Sequence, residues 1–114
     1  MNTIPINYES FDSFIRENHL FERARESCIE VLNNRYRESK YDFIRNFGAD
    51  ITVVLETYRF INSGISFDRH YEFDKPLDTV SVWIRIYNSN NSYVCEYTVY
   101  YDFKLEIIDD KMVN

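Results

Sequence analysis

"YVCEYTVYYDFKLEI", residues 93–107, decides how the rest of the chain is arranged. Taken alternately, Tyr93, Cys95, Tyr97, Val99, Tyr101, Phe103, Leu105 and Ile107 fall on one side. Val94, Glu96, Thr98, Tyr100, Asp102, Lys104 and Glu106 fall on the other. A period of two with aromatic and β-branched residues is the signature of a strand with one buried face. Fifteen residues at about 3.3 Å each would span about 50 Å. A compact chain of this size is roughly 35 Å across. The spacing therefore predicts that the strand bends, at a bulge near Tyr100-Tyr101. Its second half, Phe103 to Ile107, is expected to reach past the body and shelter Leu105 and Ile107 against the first helix or a second chain.

Upstream, three more stretches read as strands. "DITVVLETYRFIN" (50–62) is rich in β-branched and aromatic residues, and "NSG" (62–64) reads as a turn. "ISFDRHYEFD" (65–74) alternates, with Ile65, Phe67, Tyr71 and Phe73 on one face, and Lys75-Pro76 follows as a turn. "DTVSVWIRIYN" (78–88) sends Val80, Val82, Ile84 and Ile86 inward and Thr79, Ser81, Trp83, Arg85 and Tyr87 outward, before the polar turn "NSNNS" (88–92). Residues 10–47 carry the helical period instead. Phe11, Phe14, Ile15, Phe21, Ala24, Cys28, Ile29 and Leu32 recur at three- and four-residue steps. Ser10 or Ser13 is expected to cap the start, Asn18 to break the helix, and Asn33-Asn34 to make another break or turn. Ser39 with Asp42 resembles a capping pair for a last helix that carries Tyr41, Ile44 and Phe47 inward and stops at Gly48.

Helices at 10–47 followed by a sheet at 50–108 predict one α+β domain over residues 1–114, its N-terminal helices packed on a four-stranded antiparallel meander. This element order resembles the cystatin-like and nuclear-transport-factor-like (NTF2-like) class, in which a helix lies across a curved sheet. The resemblance is one of order alone.

Composition narrows the function classes. Ten Tyr, nine Phe and one Trp against only two Gly and two Pro leave little room for disorder or long linkers. At 114 residues the chain can bury roughly 65% of its unfolded surface and needs neither disulfide nor metal to fold. A net charge of −6 disfavours direct binding to nucleic acid and favours fast association with a basic protein. Cys28 and Cys95 have no zinc spacing and read as core residues. The opening "MNTIPINYES" lacks the basic and apolar regions of a signal peptide, and no run approaches the ~20 apolar residues of a membrane span. A cytoplasmic protein with no membrane role is the expectation.

No nucleophile elbow or glycine-rich phosphate loop is present, since Gly48 and Gly64 are the only glycines. Asp68, His70 and Glu72 share one face of the 65–74 strand and could hold a general base or a metal, but a single imidazole falls short of a ligand set. Asp109 and Asp110 read as a solvated tail. No enzyme, catalytic residue, metal or cofactor is expected. The outward row on 78–88 is the more informative feature. Trp83, Arg85 and Tyr87, with Glu96, Tyr100 and Asp102 on the neighbouring strand, form an aromatic patch with acidic edges, and Trp, Tyr and Arg dominate interface hot spots. The opposing expectation is that this face is covered and Trp83 belongs to the core. These residues point to a small acidic inhibitor of a partner protein, such as a toxin-immunity protein or a phage-type inhibitor acting on a basic toxin or nuclease. The alternatives are a structural subunit or homodimer pairing through the last strand, and a small-ligand carrier or enzyme whose inner tyrosines, Tyr97 and Tyr101, line a cavity.

Overall fold

The structure, a computed structural model, describes residues 7–114. The expectation about a signal sequence rests partly on residues 1–6, which lie outside the described residues. Four helices precede four strands: α1 (Tyr8–Glu17), α2 (Leu20–Glu38), α3 (Lys40–Phe47), α4 (Ile51–Thr57), β1 (Arg59–His70), β2 (Leu77–Tyr87), β3 (Tyr93–Asp102) and β4 (Ile107–Val113). The strands form one antiparallel sheet in the order β1-β2-β3-β4. The expected meander and its α+β class are thus present, although several boundaries move for identifiable reasons.

The first helix starts one residue after Asn7, whose side chain accepts from Ser10 N at 3.1 Å, so neither Ser10 nor Ser13 is its cap. It ends at Asn18, as the sequence indicates, but Asn18 does not cap the next helix. Its amide donates back to the Phe14 carbonyl, and His19, left-handed at φ 52°, turns the chain into α2. Helix α2 then runs straight through Asn33-Asn34, correcting the expected break there. Leu20, Ala24, Cys28 and Leu32 make a four-residue stripe that is fully buried along it. Packing of that stripe outweighs the modest helix penalty of two asparagines. Ser39 caps α3 by accepting from Asp42 N, and Gly48 closes it at φ 81°, both as read from the sequence. Phe47 turns inward as expected, but its inward partner is Phe43, four residues back and stacked on it at 4.5 Å, whereas Tyr41 and Ile44 are exposed.

Residues 51–57 are helical, which corrects the strand assigned to 50–62. Asp50 accepts from Val53 N at 3.0 Å, and Ile51, Val54 and Tyr58 turn toward the core at helical spacing. One cap and one buried residue, Val54, override the β-branched composition. The sheet consequently starts at Arg59. "NSG" is no turn but lies within β1, where Ser63 is bulged out and the register shifts between Asn62 and Gly64. The strand ends at His70 rather than Asp74, leaving Tyr71 and Phe73 exposed in the β1–β2 turn.

The aromatic stretch is not one strand. β3 stops at Asp102, and residues 103–106 reverse the chain into β4. The Asp102 carboxylate accepts from Lys104 N and Glu106 N, and its carbonyl accepts from Leu105 N. This turn uses an Asx side chain and a left-handed Leu105 (φ 63°) where a glycine would be usual. Leu105 is half-buried against the edge of the core, its carbonyl accepting from Arg23 of α2, whereas Ile107, expected to be sheltered with it, is exposed. The register does shift at Tyr100/Tyr101, the place singled out from the sequence, but between β3 and β4 rather than as a bend of one long strand. Asp109 and Asp110 belong to β4 and not to a tail. The body measures 51 × 31 × 26 Å, longer than the compact estimate because the β1–β2 strands are long.

Helices α2, α3 and α4 contribute to a core on one face of the sheet, with Phe14 and Ile15 of α1 packed at its edge. Val80, Val82, Ile84 and Ile86 of β2 and Cys95, Tyr97, Val99 and Tyr101 of β3 meet Leu20, Ala24, Cys28, Leu32, Phe43, Phe47 and Val54. The inward assignment of β2 and its cover by the helix carrying Cys28 are as expected.

Candidate protein-binding face

The opposite face of the sheet carries the residues of the sequence-derived patch. β2 presents Trp83, Arg85 and Tyr87 outward, and β3 presents Glu96, Tyr100 and Asp102. Register sets their neighbours: Arg85 opposes Glu96, Trp83 opposes Thr98, Ser81 opposes Tyr100, and Thr79 opposes Asp102. All six residues therefore share the face that the helical core leaves open.

At one end, Arg85 Nε donates to Glu96 Oε2 at 3.0 Å. That hydrogen bond raises the guanidinium pKa further. Tyr87 and Tyr93 stack edge to face at 5.9 Å beside this pair. The alternation of the sequence puts Tyr93 inward. A bulge after Ile86 reverses it, pairing Tyr87 with Tyr93 and adding a half-exposed tyrosine to the patch. Desolvation, with the neighbouring Glu96 carboxylate, raises the Tyr93 pKa.

Trp83 sits in the middle, neither exposed nor in the helical core. Its indole lies along the backbone of Gly64, its partner on β1. A Cβ built at Gly64 would come within 2.0 Å of the indole Cζ2. Glycine is required here for close approach, not for a positive φ. Thr79, Ser81 and Thr98 are almost fully buried although no helix covers them, each standing beside a taller neighbour.

The other end forms a groove of about 300 Å³ walled by Asp68, His70, Ser81, Tyr100, Asp109 and Lys111. His70 Nε2 and Thr79 Oγ1 share a hydrogen bond at 3.1 Å, and Asp68 accepts from Ser66 at 2.9 Å. Lys111 Nζ lies 5.9 Å from the centre of the Tyr100 ring. Asp68 and His70 share this face, but Glu72 lies in the β1–β2 turn, so the three-residue arrangement read from the alternation is not assembled. Among the described residues no group of three or more His, Cys, Asp or Glu is placed to hold a metal. Lys111 and Asp109 join the groove through β4, which the sequence reading placed in the tail; their alternation in "IIDDKMV" was the available signal.

Asp102 is committed elsewhere, since its carboxylate holds the 103–106 turn. Tyr97 and Tyr101 are both fully buried in the core, Tyr97 donating to Asp110 at 2.8 Å and Tyr101 lying 4.8 Å under the Arg23 guanidinium. Burial pushes both phenol pKa values up, with the Asp110 hydrogen bond adding to the effect at Tyr97. Cys28 and Cys95 are free and buried, and desolvation raises each thiol to about 12. Among the described residues no helix is long and apolar enough to cross a membrane.

Comparison of the chain with known family models, curated proteins and solved structures gives no match. The similarity to the cystatin-like and NTF2-like class accordingly stays one of element order.

Proposed function

We propose that this chain is a small binding protein that inhibits a basic protein partner, in the manner of a toxin-immunity protein or a phage-type inhibitor, and that it docks through the open face of its sheet. One observation carries this reading: Trp83, Tyr87, Tyr93 and Tyr100 stand together on a face that the helices leave uncovered, with Asp68, Glu96 and Asp109 around them. Aromatic anchors bounded by charge are the composition of an interface core and rim. The net charge of −6 supports a basic partner, such as a nuclease toxin, and would speed its capture. A cytoplasmic setting goes with this reading, because two free buried thiols are at ease in a reducing compartment.

The test begins with a partner recovered from the native host and ends with a titration. Trp83→Ala and Tyr100→Ala should each cost at least ~2 kcal/mol of binding, about 30-fold in Kd, with the circular dichroism spectrum unchanged. Tyr41→Ala, at an exposed position on helix α3, should leave Kd unchanged. Equal affinity of all three variants would move the interface off this face.

A further inference from the structure

On the helical side of the sheet, α1 lies over the structure without being seated in it. None of its residues is fully buried, and among the described residues it makes no hydrogen bond to the sheet. It rests on Phe11, Phe14 and Ile15, all half-buried. Open space lies on both flanks, about 740 Å³ on one and about 500 Å³ on the other, with Phe11 and Ile65 common to both. The larger space is a cleft between α1, the inner side of β1–β2 and the 103–106 turn. Phe11, Phe14, Ile65, Phe67, Phe103 and Leu105 line it. Phe67 joins the three elements, 4.7 Å from Phe11, 5.8 Å from Phe14 and 6.3 Å from Phe103, ring centre to ring centre.

We propose that this cleft binds a neutral, largely hydrocarbon small molecule, aromatic or aliphatic, with few hydrogen-bonding groups. The volume is that of a pocket for a drug-sized ligand. The lining selects the class. It contains no charged side chain among the described residues, so an ionised ligand would lose its hydration with no counter-charge in return. Its polar groups are Asn7, Ser10 and Ser66. Asn7 Oδ1 already accepts from Ser10 N, and Ser66 already donates to Asp68, which leaves the Asn7 amide N–H groups and the Ser10 hydroxyl at the rim. An extended peptide brings two polar backbone groups per residue and would leave most of them unpaired here. The wall opposite α1 is set by the 103–106 turn: the Leu105 N–H donates to the Asp102 carbonyl, and the Leu105 carbonyl accepts from Arg23 at 2.7 Å.

The probe is N-phenyl-1-naphthylamine, a neutral apolar fluorophore that brightens on leaving water, titrated into the full chain. Saturable binding of one probe per chain with a micromolar Kd is expected. Phe67→Asp and Phe103→Asp should each weaken it at least about tenfold, as should Ser10→Trp, which fills the cleft from the exposed side of α1. Phe67 is 39% and Phe103 57% exposed, so both changes are compatible with folding, which circular dichroism would verify. Tyr41→Ala, at an exposed position on α3 outside the cleft, should leave the titration unchanged. The anionic 8-anilinonaphthalene-1-sulfonate should bind at least about tenfold more weakly than the neutral probe. Non-saturable binding, binding indifferent to all three cleft variants, or preference for the anionic dye would each overturn the proposal. So would a probe signal that disappears as the chain dimerises in sedimentation runs, which would assign the cleft to a second copy.

Discussion

The two faces of β2 and β3 share one backbone and differ in almost everything else. On the inner face, Val80, Val82, Ile84, Ile86, Cys95, Tyr97, Val99 and Tyr101 are at most 1% exposed, and any of them changed to a smaller residue leaves a hole in a packed layer. On the outer face, Trp83, Arg85, Glu96 and Tyr100 are only partly covered and touch other strand residues, Trp83 on Gly64, Arg85 on Glu96 and Tyr100 by Lys111, with no helix over them. The inner face answers to folding. The outer face is free to answer to something else, and its aromatic residues are more than solubility calls for.

The largest break in this comparison should come from alkali. The inner face holds Cys28, Cys95, Tyr97 and Tyr101 with pKa values raised by burial, the thiols from 9.0 to about 12. Between those limits the native chain keeps protons that the unfolded chain has released, so stability falls as pH rises. It is complete below about pH 9 and should be lost as pH climbs toward about 12. Melting temperature measured from pH 7 to 11 should be flat and then decline; a flat profile to pH 11 would mean these groups ionise freely in the native state. Ile84→Ala tests the same face by size, and should cost about 2–5 kcal/mol in a urea titration.

Trp83 and Gly64 sharpen the contrast, because they form a contact on the outer face that belongs to folding. Gly64→Ala should cost about 1–3 kcal/mol, since its methyl group has no room beneath the indole. Adding Trp83→Ala should return part of that loss, giving a double-mutant cycle with a coupling of at least ~0.5 kcal/mol. A strictly additive pair would place the indole elsewhere in solution.

The same contrast explains what was legible beforehand. β2 was readable because Val80, Val82, Ile84 and Ile86 alternate with polar or amphipathic residues and have helices on one side only. The six patch residues follow from that alternation, and all share the outer face. Reading failed where a single polar side chain outvotes composition. "ITVVLET" has the make-up of a strand, yet Asp50 caps it as a helix. The 103–106 turn contains no glycine or proline, so only Asp102 marked it, and its carboxylate looked like surface charge. Tyr93 was misplaced because alternation cannot show a bulge. Groove partners such as Lys111 come from β4, whose pairing depends on that unseen turn. Asp50→Ala should therefore cost about 1 kcal/mol and loosen α4, visible as faster amide exchange at Val53 and Val54.

The smallest effect on stability, and the most informative one for function, belongs to Arg85 and Glu96. Both side chains are partly exposed and their ion pair is screened by salt, so Glu96→Gln should shift the urea midpoint only slightly. Association with a basic partner is a different matter. Glu96 sits on the same face as Trp83 and Tyr100, and part of its charge is already taken by Arg85. Removing Glu96 leaves Arg85 unneutralised, so the local potential turns positive where the proposal requires it to attract a cation. The association rate should fall and its dependence on ionic strength should flatten, while dissociation changes little. Arg85→Ala should do the reverse, freeing the Glu96 carboxylate and quickening capture. Stopped-flow measurements of both variants at two salt concentrations decide the point. Rates that move in the same direction for the two changes would mean that this pair positions side chains within the patch rather than steering a partner toward it.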